Sequence, residues 1–140
     1  MATKYDAYGT ALYKGTNTGT AYAQVTSITG PSMSLDTVDV TSHDSTSAWE
    51  EVVATILRSG DLTMDIVYDP ADATHKNASG GLLADFIART AVVFTLIFPD
   101  AATTEWTFSG YITAFEPSAP VDGALTASVT IKPSGVVTLV

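Results

Sequence analysis

The sequence predicts an all-β domain with one flanking α-helix, on three observations. In several separate runs apolar and polar residues alternate with period two, the spacing that sends successive side chains to opposite faces of a strand. Gly30-Pro31, Asp69-Pro70, Pro99-Asp100 and Pro133-Ser134-Gly135 punctuate those runs as turn formers. The chain holds 22 Thr and 12 Ser, and Thr fits a pleated, half-buried surface. Its 140 residues suit a single domain, 1–140, long enough to bury a core without disulfide or metal staples.

Met1 to Gly19 reads as a loose lead-in and then a short strand, ending in the loop Gly15-Thr16-Asn17-Thr18-Gly19. Tyr22 to Thr29 is the first well-patterned strand, and it is expected to pair with Met33 to Val40 as a hairpin across Gly30-Pro31. In the second of these strands Met33, Leu35, Thr37 and Asp39 share one face, while Ser34, Asp36 and Val38 share the other. Thr41 to Ser47 is turn-like, after which Trp49, Val52, Val53 and Ile56 recur at helical spacing and predict a short helix. So short a helix holds poorly without packing, so the segment is also readable as flexible in the free subunit.

Leu62, Met64, Ile66 and Tyr68 alternate cleanly as a strand that Asp69-Pro70 ends, and Ala71 to Ser79 is a polar connector. Gly80 to Thr90 is a helix, with Leu82, Leu83, Phe86 and Ile87 as its apolar stripe and Asp85 and Arg89 as a polar pair four apart. Ala91 to Phe98, almost wholly apolar, predicts a buried central strand. Thr103 to Phe115 is a strand with aromatics on both faces, Glu116 to Asp122 a rigid connector, Ala124 to Lys132 a half-buried strand, and Val136 to Val140 a last short one. The sum is seven or eight strands and one helix.

Composition excludes several functions. The chain has no cysteine, which removes disulfides, Cys-ligated metals and thiol catalysis, and fits a reducing cytoplasm. Neither an export signal nor an apolar run long enough to span a bilayer is apparent, so a soluble, non-membrane protein is expected. The net charge of −9 argues against phosphate-based nucleic-acid binding, which needs clustered Lys and Arg. Only 15% of residues are charged, against about 25% in ordinary globular proteins, so the surface is either a hydroxyl-rich solvated face or one kept in contact with other copies.

No enzyme, cofactor or metal site is expected. His43-Asp44-Ser45 holds the residue types of a hydrolytic triad, but neighbours in one turn do not line up as nucleophile, base and orienter. Asp69, Asp72 and His75 have metal-ligand chemistry in a stretch that reads as a solvated linker. Gly80-Gly81 is too little for a phosphate loop and suits a helix N-terminus. Two alternatives come from other classes, a small hydrolase and a β-sandwich adhesion or carbohydrate-binding module; Trp106, Tyr111 and Phe115 are the basis of the second, with core packing as the commoner fate of such rings.

Two blocks carry a resemblance. Ile28-Thr29-Gly30-Pro31-Ser32-Met33-Ser34-Leu35-Asp36-Thr37-Val38-Asp39-Val40-Thr41-Ser42-His43-Asp44 resembles the early motif of the major tail proteins, or tail tube proteins, of bacteriophages with long flexible tails. Phe108 to Tyr111, Phe115 to Asp122 and Leu125 to Lys132 are similar to that family's closing strands in order and spacing. The resemblance implies a β-sandwich or barrel-like tail tube fold with one flanking helix. It implies six-membered rings that stack into a hollow tube, a virion tail conduit for DNA ejection assembled in the host cytoplasm with terminator, tape measure and baseplate proteins as further partners. The tube of a phage-derived injection or secretion device has the same architecture and is the related alternative.

In that family the stretch matching Thr41 to Gly60 is a long mobile connection that docks on neighbours, although a proline–glycine pair often stands where Ala54-Thr55 stand here. Trp49, Val52, Val53 and Ile56 are therefore the expected inter-subunit docking residues, since the sandwich offers them no settled position. Asp36 and Asp39 are the candidates for an acidic lumen wall along which DNA slides rather than sticks.

Overall fold

The computed structural model describes residues 3–140; Met1 and Ala2, the start of the expected loose lead-in, lie outside the described residues. Its strands are β1 (Ala11–Lys14), β2 (Thr20–Ala21), β3 (Val25–Thr29), β4 (Met33–Asp39), β5 (Val52–Ser59), β6 (Leu62–Val67), β7 (Val92–Ile97), β8 (Glu105–Ser118), β9 (Thr126–Pro133) and β10 (Thr138–Leu139). A 3₁₀ turn, Thr46–Ala48, sits between β4 and β5, and the helix α1 (Leu82–Ala88) precedes β7.

Eight strands form one antiparallel sheet in the order β2-β1-β7-β8-β9-β6-β3, with β10 alongside the start of β8. The two ends of that order, β2 and β3, are joined by only Tyr22 to Gln24, a stretch that reaches about 14 Å at most. Tyr22 N–H still bonds to Leu12 of β1 at 3.0 Å, while the Gln24 carbonyl already accepts from Val67 of β6 at 2.9 Å. The sheet therefore curls upon itself into a barrel-like body. Leu12, Leu62, Met64, Ile66, Phe94, Leu96, Phe108, Val129 and Ile131 fill the interior, contributed by alternating positions of β1, β6, β7, β8 and β9.

The helix covers this body beside β8. It is anchored by buried Leu82 and half-buried Phe86, and its first N–H groups are met by the carbonyls of Thr74 at 2.9 Å and His75 at 3.4 Å. The expected Asp85–Arg89 pair does not form: Asp85 reaches Lys14 of β1 at 2.8 Å, and Arg89 ends the helix in a left-handed conformation with φ 56°. Tertiary contact with β1 outcompetes a local pair worth only a few tenths of a kcal/mol (~0.2–0.5).

The expected hairpin of Tyr22–Thr29 with Met33–Val40 is the main correction. β3 pairs with β6 inside the sheet, whereas β4 pairs with β5 as a separate two-stranded element. Thr29 lies opposite Thr63 and Met33 opposite Ser59, so both chains advance by four residues and keep one register across the junction. A single long ribbon thus leaves the body, interrupted only at Gly30-Pro31 and Gly60. Gly30 has φ +96°, and a Cβ there would stand 2.7 Å from the Asp61 carbonyl oxygen. Gly60 donates its N–H to the Ser32 carbonyl, which ties the two chains together where they cross the junction. A turn reversing the chain at Gly30-Pro31 would require β3 and β4 to face each other; instead the bend redirects the strand and the reversal comes at residues 41–51.

The predicted helix at Trp49 to Ile56 is likewise a strand, β5, with Trp49 just before it. The register slips between Leu35 and Thr37, where Asp36 is opposed by both Thr55 and Ile56. A bulge adds one residue to the period of two, so Val53 and Ile56 share a face at a spacing of three and imitate a helical stripe. A second bulge, between Ile112 and Ala114, explains the aromatics on both faces of β8: beyond it Phe115 stands opposite buried Val129, on the core side with Trp106 and Phe108. The expected connector at Glu116 to Asp122 begins later than predicted, because β8 runs on through Pro117 to Ser118 against β9. Proline is tolerated there because β8 has a neighbour on one side only beyond Gly110.

Tyr22 is buried against Phe94, and its hydroxyl has no hydrogen-bond partner among the described residues. Burial, with the Asp85 carboxylate nearby, pushes the phenol pKa up. Removing that hydroxyl in Tyr22→Phe is expected to stabilise the protein by about 1 kcal/mol, seen as a melting temperature a few degrees higher by circular dichroism. A comparable fall would mean that the hydroxyl is satisfied in solution.

Candidate inter-subunit surface

The ribbon formed by β4 and β5 projects from the body as an arm. Met33, Leu35, Val38, Val40, Trp49, Val52, Val53, Ile56 and Leu57 are all exposed on it, half of the large exposed hydrophobic side chains among the described residues. Register assigns them to both faces. Leu35 stands opposite Leu57 on one, and Val38 opposite Val53 on the other, the latter shared with Ile56. An isolated two-stranded hairpin is marginal in water, and one apolar on both faces exposes a surface that is normally covered.

The four docking residues expected from the sequence therefore lie together on one element. Trp49 is 75% exposed at the end distal to the body. Sequence reading missed Met33, Leu35, Val38, Val40 and Leu57 as members of the same surface. The available signal was β4 itself, which is apolar at odd positions near its start and at even positions near its end.

Asp36 and Asp39 also sit on the arm, on opposite faces, and each has a local partner. Asp36 is held by Arg58 Nε at 2.6 Å. The hydroxyl and N–H of Thr41 hold the Asp39 carboxyl below the usual carboxylate range, with the N–H at 2.8 Å. The tip is organised by similar short bonds: Ser45 Oγ accepts the Ser42 N–H at 3.0 Å, and Ser42 Oγ accepts the Asp44 N–H at 3.3 Å. In this way Ser42, Asp44 and Ser45 shape the turn that contains His43-Asp44-Ser45.

Apart from the two-residue strands β2 and β10, two strand edges of the body are open among the described residues. β3 has β6 on one side and no strand on the other, and β7 stops opposite Gly110, leaving the β7-side edge of β8 unpaired through Ser118. Between those edges runs a four-strand patch, β3-β6-β9-β8. On its inner face Ile28, Met64, Val129 and Phe115 align in one row toward the core. The adjacent row on the outer face is Ser27, Asp65, Ser128 and Glu116, and the next adds Thr29, Thr63 and Thr130. This outer face is hydroxyl-rich with two carboxylates, and sequence reading did not single out either Asp65 or Glu116.

The remaining sequence candidates have structural explanations. Trp106 meets Phe98 edge-on at 5.1 Å and Phe115 meets Tyr68 edge-on at 5.2 Å, both on the core side, whereas Tyr111 points to the opposite face. The three rings therefore make no common sugar platform. His75 is fully buried; its Nε2–H donates to the Ala23 carbonyl at 2.8 Å, and its Nδ1 accepts the Asp69 N–H at 3.3 Å. Asp72 accepts the hydroxyl and N–H of Thr74, which lowers its pKa. Those three residues pin the connector to the body, and no group of metal-ligating side chains occurs among the described residues. No helix among them is long and apolar enough to cross a membrane.

This mainly β fold is shared with phage-like tail tube structures. The lambda phage tail tube protein (TTP) family matches residues 3–140, and the chain belongs to that family. Among solved structures, a chain from the virion of a native gene transfer agent particle matches with a TM-score of 0.76 and 17% identity, over 98% of this chain and 99% of that one. One from the tail of an empty gene transfer agent particle, determined with C6 symmetry, matches at 0.74 and 17%, over 98% and 99%. A chain from the sheath/tube terminator structure of an extracellular contractile injection system in its extended state matches at 0.72 and 14%, over 99% and 97%. No curated protein matches the chain.

Because Trp49 touches so little of the body, Trp49→Asp is expected to change the unfolding free energy of the monomer by no more than about 0.5 kcal/mol. Urea unfolding of the isolated subunit checks this. A loss of several kcal/mol would mean that Trp49 is packed in the free protein.

Proposed function

We propose that residues 1–140 act as one tail tube domain, the repeating subunit of stacked six-membered rings that conduct DNA outward during infection, with no catalysis of its own. The observation that carries this reading is the arm, whose two apolar faces have no cover within the subunit. The two open edges support it. An edge of β3 on one copy pairing with the β8 edge of the next is a head-to-tail contact, which closes into a ring when its rotation closes. Closure satisfies both edges, which would otherwise invite uncontrolled pairing. The C6 symmetry of the similar gene transfer agent tail supports a count of six.

Ring closure through those edges would join the β3-β6-β9-β8 patches into a continuous barrel. Its hydroxyl-rich outer face, with Asp65 and Glu116, then lines the lumen. Duplex DNA carries about one negative charge per 1.7 Å, so a wall of hydroxyls and carboxylates offers its phosphates nothing to hold. Asp36 and Asp39, the lumen candidates from sequence, belong on this reading to contacts between rings, because both lie on the arm that carries the docking residues Trp49, Val52, Val53 and Ile56. Terminator, tape measure and baseplate proteins are the further partners, with assembly in the host cytoplasm. The likeness to a contractile injection system chain favours, as a second reading, the tube of a phage-derived device.

Electron microscopy of the purified chain, alone at high concentration and with its tail partners, is expected to reveal six-fold rings or tubes. Trp49→Asp is expected to abolish the tubes while the subunit stays folded. A wild-type chain that remains monomeric in all these conditions overturns the reading.

In tubes that do assemble, Asp65→Lys with Glu116→Lys is expected to slow DNA ejection, with high salt restoring the rate. If Asp36→Lys with Asp39→Lys slows ejection instead, the arm rather than the sheet lines the lumen.

A further inference from the structure

The register of the sheet fixes which backbone groups the open edge of β8 presents. In an antiparallel ladder the N–H and C=O of one residue point to the same side, and successive residues alternate. Val67 of β6 donates to the Gln24 carbonyl at 2.9 Å, on the β3 side, and Tyr68 donates to the Leu125 carbonyl at 2.9 Å, on the β9 side. Odd-numbered residues of β6 therefore address β3, and even-numbered ones address β9. Carried through the register, Thr126, Ser128 and Thr130 of β9 turn their backbone groups to β8, where Ser118, Glu116 and Ala114 stand opposite. The bond from the Thr113 hydroxyl to the Thr130 carbonyl, at 3.3 Å, agrees with this assignment.

Phe115 and Pro117 are left facing the open edge. Pro117 has no N–H, so it brings only a carbonyl there. On the other side of Phe115 the bulge at Thr113 breaks the alternation. The next outward residue of the ladder is Ile112, three positions from Phe115, because Ile131 opposite it is committed to Leu62 of β6. No two outward N–H groups of the ladder on this edge therefore stand at the two-residue spacing that a pairing strand requires. The Pro117 ring is exposed, so packing does not account for a proline at this position. The β3 edge carries a bulge of its own, with the Thr26 hydroxyl turned onto the Asp65 carbonyl at 3.1 Å.

We propose that Pro117 guards the β8 edge: by withholding the N–H next in line after Phe115, it keeps a second copy of the chain from adding to the sheet outside a closed ring. The partner held off is a second copy because β3, four strands away, runs antiparallel to β8, so the β3 edge of another molecule has the direction that the β8 edge accepts. Edges interrupted by prolines and bulges are poor templates for indiscriminate pairing. A closed ring, held at six interfaces at once, tolerates one missing bond at each. The proposal rests on the ring reading above for the use to which this edge is put.

The test is made on free chains carrying Trp49→Asp, so that arm contacts do not contribute. Pro117→Thr restores the donor without adding apolar surface. In sedimentation velocity it is expected to self-associate at about fivefold lower concentration than the chain that keeps Pro117, the worth of one hydrogen bond, with an unchanged melting temperature by circular dichroism. Pro117→Ala restores the same donor on a smaller side chain and is expected to do the same, which keeps the test decisive should the threonine variant melt early. Variants as monomeric as the Pro117 chain, or ones that associate only together with a lowered melting temperature, overturn the guarding role and leave the ring reading standing. Failure of the unaltered chain to form rings with its tail partners overturns the ring reading alone, since this comparison is made on free chains.

Discussion

The arrangement outside the barrel depends on one strand register. Because Thr29 faces Thr63 and Met33 faces Ser59 without a slip, the two chains that leave the body leave it together and satisfy half of each other's backbone hydrogen bonds. Gly30 and Gly60 make this possible at the junction, where the chains approach too closely for a side chain on Gly30. The consequence is a ribbon that reaches beyond the hydrophobic core while remaining regular. Its apolar side chains then have nowhere to go within the subunit.

Body and arm divide the physical work. The curled sheet buries alternating side chains of β1, β6, β7, β8 and β9 and is closed by the short passage from β2 to β3. The arm has a ladder but no core, and its apolar faces are left uncovered within the subunit. Sparse charge serves the same end, since a hydroxyl-rich exterior costs less to desolvate than a charged one. The net charge of −9 opposes contact between free copies, an effect that reaches roughly a Debye length of 8–10 Å at moderate salt.

Strand identities were legible in the sequence wherever alternation ran unbroken: Leu62 to Tyr68, Ala91 to Phe98 and Ala124 to Lys132 all became body strands, and Leu82 to Ala88 became the helix. The expected hairpin failed at the Gly30-Pro31 bend, and element type and facing were misread where a bulge broke the period. One extra residue near Thr55 made a strand look helical, and another near Thr113 made Phe115 appear to face away from the core. Both segments have side chains on each face that a period of two cannot sort.

By itself the sequence determined the all-β class, the helix, the turn at Thr41 to Ser47, the tail tube family motif and the membership of Trp49, Val52, Val53 and Ile56 in one region without a core role. The class, the helix and the turn follow from composition and local periodicity, which act between residues close in the chain; the motif and the docking region follow from likeness to known tail tube proteins. Only the tertiary structure decided that β3 pairs with β6 and β4 with β5, that Met33, Leu35 and Leu57 join the exposed surface, and that Ser27, Asp65, Ser128 and Glu116 align across four strands. Pairing between distant strands is chosen by the core they jointly bury and by the room left at Gly30, neither of which is encoded within any single window of the chain.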